Sequence, residues 1–262
     1  MNAVLQSRVD VAPLPATTAA VVIVPAYNEE AGLAAVLHEL APLREQGIEV
    51  LVVDDASTDR TVLVAEAAGV RVIRRRRNGG KGAAIRTGVA AVDAPKVVTI
   101  DADGTYPVEA IVPIVRLLDD HDIVLGARTV GRGNIPIFNR LGNTALRLVI
   151  RAASGFGSAD PLTGLYGIRR EHLDAMELRS DGFAIEAEIA VKSARLGLRH
   201  VDYPIGYAER IGESKLNPVR DGSVIAATIL RLVLDGSLTR LTRRRRRRRA
   251  RLLARARRMT RS

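Results

Sequence analysis

The chain of 262 residues contains no cysteine. Neither a disulfide nor a thiolate metal centre is open to it, which fits a reducing cytoplasm. Histidine is also scarce, four in all, and none lies close in sequence to the segment that carries Asp101 and Asp103. Zinc, which favours cysteine and histidine ligands, is therefore a poor fit. The apolar segment SVIAATILRLVLDG (223–236) is broken by Arg231 and falls well short of the ~20 residues a spanning helix needs. It can lie in a membrane interface or pack on the body, but it cannot cross alone. The N-terminus lacks the basic-then-apolar pattern of a signal peptide, and residues 1–18, with Pro13 and Pro15, read as a loose arm. Two familiar phosphate loops are missing as well. Gly79-Gly80-Lys81-Gly82 has neither the P-loop spacing with its following Ser or Thr, nor the third glycine of the dinucleotide fingerprint.

Hydrophobic residues make up 47% of the chain, enough for one large domain with a well-buried core. The net charge of +11 is carried by one end. Residues 240–262 hold 13 arginines and no acid, leaving 27 basic and 29 acidic groups elsewhere. The body is nearly neutral and the tail is a separate device.

Apolar runs alternate with helical patterns. VVIVPAY (21–27), EVLVVDD (49–55), VRVIR (70–74), KVVTIDAD (96–103) and DIVLGAR (122–128) read as strands. Between them, EEAGLAAVLHELAPL, TDRTVLVAEAA, GGKGAAIRTGVAAV and PVEAIVPIVRLLDD have apolar residues at helical spacing. Ser57 or Thr58 suits the cap of the second helix, and Pro107 the first turn of the fourth. Nearly all-apolar strands alternating with helices predict an α/β fold, a mostly parallel sheet with helices on both faces. In the second half, 138–153 and 184–197 read as helices, 162–169 and 198–205 as strands. The pattern shows no internal repeat and implies one domain of two unequal lobes.

In an open parallel sheet, ligands bind beyond the carboxyl ends of the strands. Those ends read Pro25-Ala26-Tyr27-Asn28-Glu29, Asp54-Asp55, Asp101-Ala102-Asp103 and Gly126-Ala127-Arg128. A lone acid at a strand end is ordinarily a turn former or helix cap; acids at three of four such ends point to a site. Asp101 and Asp103 can converge if Ala102 turns away. Two hard oxygen ligands suit Mg²⁺ or Mn²⁺, with water and substrate phosphates completing the shell. Such an ion would stabilise a diphosphate as a leaving group. The run Arg74–Arg77 adds positive charge nearby, or is simply a solvated strand exit.

VVIVPAYNEE, VVDDASTD, NGGKGAAIRTG, DADG and YAERIGESKLNP, in this order, resemble a family-2 inverting glycosyltransferase of the GT-A fold. Within it the chain looks most like the polyprenyl-phosphate sugar synthases, such as the dolichol-phosphate mannose synthases. The resemblance spans roughly residues 19–217. It implies a GT-A catalytic domain there; the residues beyond it read by themselves as an amphipathic helix over 218–239 and an Arg-rich tail over 240–262. By the same resemblance, Pro25, Tyr27 and Glu29 match a nucleotide-binding motif, and Val53 and Asp55 match positions that meet base and ribose. Asp101, Ala102 and Asp103 match the DxD element that holds metal and donor diphosphate. Arg128 matches a residue near the phosphates, and Arg210 and Lys215 match basic residues of a mobile loop closing on donor and acceptor. Asp103, Arg128, Arg210 and Lys215 are thus the implied catalytic set. One departure stands out: the family often has Gln two residues after the second Asp, to assist the metal, and here that position is Thr105, whose shorter hydroxyl side chain is the implied third contact to the metal or to a water bound on it.

The implied reaction moves a sugar from a nucleotide-sugar, GDP-mannose or a UDP-hexose, to a polyprenyl phosphate. A phosphate acceptor is already anionic near pH 7 and needs no carboxylate base; it needs its repulsion from the donor screened. A soluble hydroxyl acceptor would require a base, and none is obvious. Glu186 and Glu188 lie in an acidic stretch where catalytic and helical roles stay open. The tail suits anionic lipid headgroups or nucleic acid. It has no aromatics to stack on bases, so a peripheral anchor at the cytoplasmic face of the membrane is the better reading. A nucleic-acid-binding protein and a catalytically inert nucleotide-sugar sensor are the readings from other classes.

Overall fold

A computed structural model describes residues 20–235; the arm over 1–18 and the arginine tail over 240–262 lie outside the described residues. The strands are β1 (Ala20–Ala26), β2 (Ile48–Asp54), β3 (Arg71–Arg74), β4 (Lys96–Thr99), β5 (Ile123–Arg128), β6 (Tyr166–Arg169) and β7 (His200–Ile205). The helices are α1 (Glu30–Arg44), α2 (Thr61–Ala67), α3 (Lys81–Ala90), α4 (Ile111–Leu117), α5 (Ile137–Ser154), α6 (Arg170–Met176), α7 (Ile185–Leu196) and α8 (218–235).

One sheet runs through both halves of the chain in the order β3-β2-β1-β4-β6-β5-β7. All neighbours are parallel except β6, which is antiparallel to both β4 and β5. The strand pleat explains the two cores. Along β1, Ala20, Val22 and Val24 face a cluster with α1, α2 and α4, whereas Val21 and Ile23 face one built from α3, α5, α6, α7 and α8. Burial on both faces is why the strands read as continuous apolar runs.

Three local expectations change. The run 96–103 pairs only as far as Thr99, opposite Ile23, so β1 and β4 diverge beyond that pair and open a crevice. Neither Ser57 nor Thr58 caps α2: Arg60 holds the cap position without a side-chain bond. The Ser57 hydroxyl instead accepts the Asn28 N–H at 2.9 Å, and the Thr61 hydroxyl accepts that of Glu29 at 2.9 Å. These polar side chains stitch the two loops together at the sheet edge. Pro107 precedes a single 3₁₀ turn, Val108–Ala110, and is not inside the first turn of α4.

Candidate active site

The crevice becomes a cavity of about 600 Å³ over the carboxyl edge of the sheet. Its floor comes from strand ends: Pro25, Tyr27 and Glu29 after β1, Asp55 after β2, Asp101, Ala102 and Asp103 after β4, and Arg128 from β5. Arg210 and Lys215 reach it from the loop after β7. Because β6 runs backwards, its approach also arrives here, and Gly164 lines the floor beside Asp101. A Cβ at Gly164 would lie 2.4 Å from Asp101 Oδ2, so only glycine leaves that carboxylate its place. Gly32 in α1 has the same duty behind the turn, where a Cβ would lie 2.6 Å from the Ala102 carbonyl.

The two carboxylates of the DADG turn face different cations. Asp101 Oδ1 is 2.6 Å from Lys81 Nζ, which also lies 2.8 Å from Glu186 Oε1. Burial alone would lower the Lys81 pKa, but Asp101 and Glu186 outweigh it and hold it well above the ordinary value. Asp103 is buried; its Oδ1 accepts the Thr105 hydroxyl at 2.6 Å and the Thr105 N–H at 3.1 Å, and its Oδ2 pairs with Arg210. The same guanidinium pairs with Glu29. Burial first, and then repulsion from Asp101, pushes the Asp103 carboxyl above its usual range. Glu29 is raised to about 7, chiefly by burial and further by Asp103 and Asp101, against the pull of Arg210 and Lys215. The site carries more negative charge than its own cations neutralise.

The loop that delivers Arg210 is tied to the DADG turn through its backbone. Ala208 N–H donates to the Thr105 carbonyl and Ile211 N–H to the Asp103 carbonyl, both at 2.9 Å. Gly104, at φ +74°, allows this approach. Arg128 is held by Asp160 at 2.6 and 2.8 Å, with its guanidinium 5.3 Å from the centre of the Tyr207 ring.

Two expected residues do not line the cavity. The Val53 side chain is buried in the core, against Ile23 and the Gly88 face of α3. Thr105 is buried too, and its hydroxyl is committed to Asp103. Asp55 lines the cavity while its carboxylate accepts the N–H groups of Gly79 and Gly80 and pairs with Arg75. The glycine run is thus clasped by an acid rather than offered as an open anion loop. Lys81, Gly32, Gly164 and the Arg128 partner Asp160 escape sequence reasoning. Lys81 had a signal: a lysine opening a helix directly after two glycines.

The profile of glycosyl transferase family 2 matches residues 21–175. The chain belongs to that family. It is 36% identical to the dolichyl-phosphate hexose transferase of Haloferax volcanii over 219 residues, 83% of this chain and 95% of that one. It is 30% identical to the undecaprenyl-phosphate mannosyltransferase of Micrococcus luteus, over 83% of this chain and 94% of that one. Among solved structures it resembles the glucosyl-3-phosphoglycerate synthase of Mycobacterium tuberculosis in complex with Mn²⁺, UDP-glucose and phosphoglyceric acid. That match has a TM-score of 0.67 at 27% identity and covers 84% of this chain and 80% of the synthase. The fold is GT-A and the enzyme is a hexosyltransferase. The family profile stops at residue 175, so Glu186 of α7 and the Arg210 loop of this glycosyltransferase lie beyond it.

Proposed function

We propose that this family-2 glycosyltransferase moves a hexose from GDP-mannose or a UDP-hexose to a polyprenyl phosphate at the cytoplasmic face of a membrane. The observation that carries the reading is the division of the cavity. Strand-end acids and the cations Lys81 and Arg210 line its floor, while Phe138 and Leu146 of α5 and Pro218 and Ile225 of α8 add an apolar wall. An apolar wall beside a charged floor suits an acceptor that is a phosphate at one end and a hydrocarbon behind it. The names of the Haloferax and Micrococcus relatives point to the same acceptor class.

No group of three His, Asp or Glu that could hold a metal exists among the described residues. Mg²⁺ or Mn²⁺ would rest on Asp103 with Asp101 beside it, taking its remaining ligands from water and donor phosphates. The excess of negative charge at Glu29, Asp101 and Asp103 fits such an ion. When bound, it screens the departing nucleoside diphosphate.

The residues of the chain divide the remaining work. Lys81 between Asp101 and Glu186 offers both donors and acceptors, which suits the hydroxyls of a hexose. Arg210 and Lys215 screen the repulsion between the two phosphate groups, with Arg128 fixed behind them. The acceptor arrives already anionic, so no side chain has to remove a proton. The tail, with its 13 arginines and no acid, is suited to anionic headgroups.

The test gives the full chain radiolabelled GDP-mannose or UDP-glucose, Mn²⁺ and either a short polyprenyl phosphate or 3-phosphoglycerate. Label entering the organic phase is the expected result. Label entering only a water-soluble product made from 3-phosphoglycerate would replace this reading with a soluble metabolite hydroxyl as acceptor, the reading favoured by the likeness to the synthase. Label in neither would overturn both acceptors.

A further inference from the structure

Tyr207, in the loop after β7, is the point at which three segments around the cavity meet. Its ring stands edge-on to Tyr106, with ring centres 5.3 Å apart and planes at 79°. The Arg128 guanidinium lies over the face of the same ring, 5.3 Å from its centre. The hydroxyl end reaches the side chain of Thr105, which in turn donates to Asp103 Oδ1. The main chain is held as firmly as the ring. Asn134 Nδ2 donates to the Tyr207 carbonyl at 2.8 Å, and the Ala208 N–H donates to the Thr105 carbonyl. Gly131, at φ +72°, lets the Tyr207 carbonyl approach, since a Cβ there would lie 2.2 Å from it.

Arg128 gains from this arrangement what its ion pair cannot give it. Asp160 grips one edge of the guanidinium, through Nε and one terminal nitrogen. That grip fixes the group within its own plane, whereas a ring against its face limits tilt out of the plane. Place in the sheet says what the cation serves. Tyr27 and Asp55, expected at the nucleotide, follow β1 and β2, and Asp101 and Asp103 follow β4. Arg128 ends β5, two strands beyond β4 and on the side away from β1 and β2. An acceptor attacking the sugar enters from the side opposite the nucleotide, which is the side Arg128 occupies.

We propose that Tyr207 is a positioning residue for the transfer: its ring sets the angle at which Arg128 receives the phosphate of the acceptor, and ties that cation to the Asp103 turn. Tyr207 acts through Arg128 and has no proton to move. The inference rests on the reading of the acceptor as a phosphate monoester.

Tyr207→Phe keeps the ring and Tyr207→Leu keeps only its bulk, so the pair separates face from hydroxyl. Calorimetry on the full chain saturated with UDP and Mn²⁺ reads the binding of farnesyl phosphate and, separately, of 3-phosphoglycerate. Tyr207→Leu should weaken farnesyl phosphate about tenfold and raise its KM in turnover by the same factor. UDP affinity should stay within about twofold, and Tyr207→Phe should restore acceptor binding to within about threefold of the unaltered protein. A merely structural role gives a different pattern: UDP and acceptor weaken together as the thermal midpoint drops, and the proposal falls. It falls equally if Tyr207→Phe loses as much as Tyr207→Leu, because the hydroxyl at Thr105 would then carry the effect.

A double-mutant cycle tests the coupling itself. Arg128→Lys keeps a charge beside Asp160 but loses the planar group that lies over the ring. Adding Tyr207→Leu to it should cost no more than about twofold further, and a second full loss of about tenfold would show that the two residues act independently and overturn the proposal. Farnesyl phosphate that binds Tyr207→Leu as well as the unaltered protein also overturns it and leaves the acceptor reading standing. If only 3-phosphoglycerate binds, and Tyr207→Leu weakens it, the positioning role holds and the polyprenyl acceptor falls. If neither phosphate binds the unaltered protein, the acceptor reading falls and the proposal with it.

Discussion

At the end of β2, Asp54 accepts the Ser57 N–H, and Asp55 accepts the N–H groups of Gly79 and Gly80 beside its pair with Arg75. Past the end of β4, Asp101 faces Lys81, and Asp103 faces Arg210. Both places carry paired acids after an apolar strand, yet the pairs spend their charge differently. The first acids are consumed largely by backbone donors of their own and neighbouring loops, a contact that cannot be exchanged without unmaking the loop. The second acids are balanced by long side chains that line a cavity and can turn to an incoming phosphate. A carboxylate clamped by backbone is architecture, and one balanced by a mobile cation is available for chemistry.

The largest effect expected from breaking this contrast is at Asp103. Asp103→Asn should lower kcat/KM by about a thousandfold, roughly 4 kcal/mol, while the thermal midpoint stays close to that of the unaltered protein. Turnover of donor with Mn²⁺ and calorimetry on the same preparation check it. Asp55→Ala should do the reverse. It strands the Gly79 and Gly80 N–H groups and should cost about 3 kcal/mol of stability in urea titration, with a smaller fall in kcat than Asp103→Asn.

Much of this was legible in the sequence, and the remainder was not for identifiable reasons. Periodicity places β1 to β5 and α1 to α4, because buried strands are uniformly apolar and helices are not. It cannot say that β6 runs antiparallel, so it cannot bring Gly164 beside Asp101, 63 residues away in the chain. The Ser57 and Thr58 pattern looks like a helix cap, yet both residues pair across the loop with Asn28, which local sequence does not encode. The apolar stripe of α5 is equally visible either way, but only packing shows that it points outward. Lys81 was hidden by its setting: the glycines before it look like a phosphate loop, and rejecting the loop left the lysine without a role.

Acidity offers a third way to sharpen the contrast. The Glu29 carboxyl has a folded pKa of about 7 against an ordinary 4.5, mainly through burial. Between those values the native state binds more protons than the unfolded chain. Stability should therefore fall as pH rises through that window, by on the order of 2 kcal/mol for this group. Denaturation from pH 4.5 to 8 in the presence of a chelator should show this slope, and Glu29→Gln should flatten it by about that amount, leaving the share of the other raised acids, Asp103 and Glu186. A slope unchanged by the substitution would assign it wholly to those acids.

The smallest effect concerns Thr105, where the family often places a glutamine that assists the metal. The Thr105 hydroxyl is buried and donates to Asp103 Oδ1 at 2.6 Å, an arrangement that predicts a positioning role on the carboxylate and no direct contact with an ion. Thr105→Val keeps the volume and the N–H bond at 3.1 Å and removes only the hydroxyl. It should lower kcat about fivefold, near 1 kcal/mol, and leave Mn²⁺ affinity within about threefold of the unaltered protein. A direct ligand would behave otherwise, losing metal affinity as severely as Asp103→Asn. Titrating Mn²⁺ into both variants with UDP present separates the two cases, because a positioning residue shifts the rate while a ligand shifts the binding.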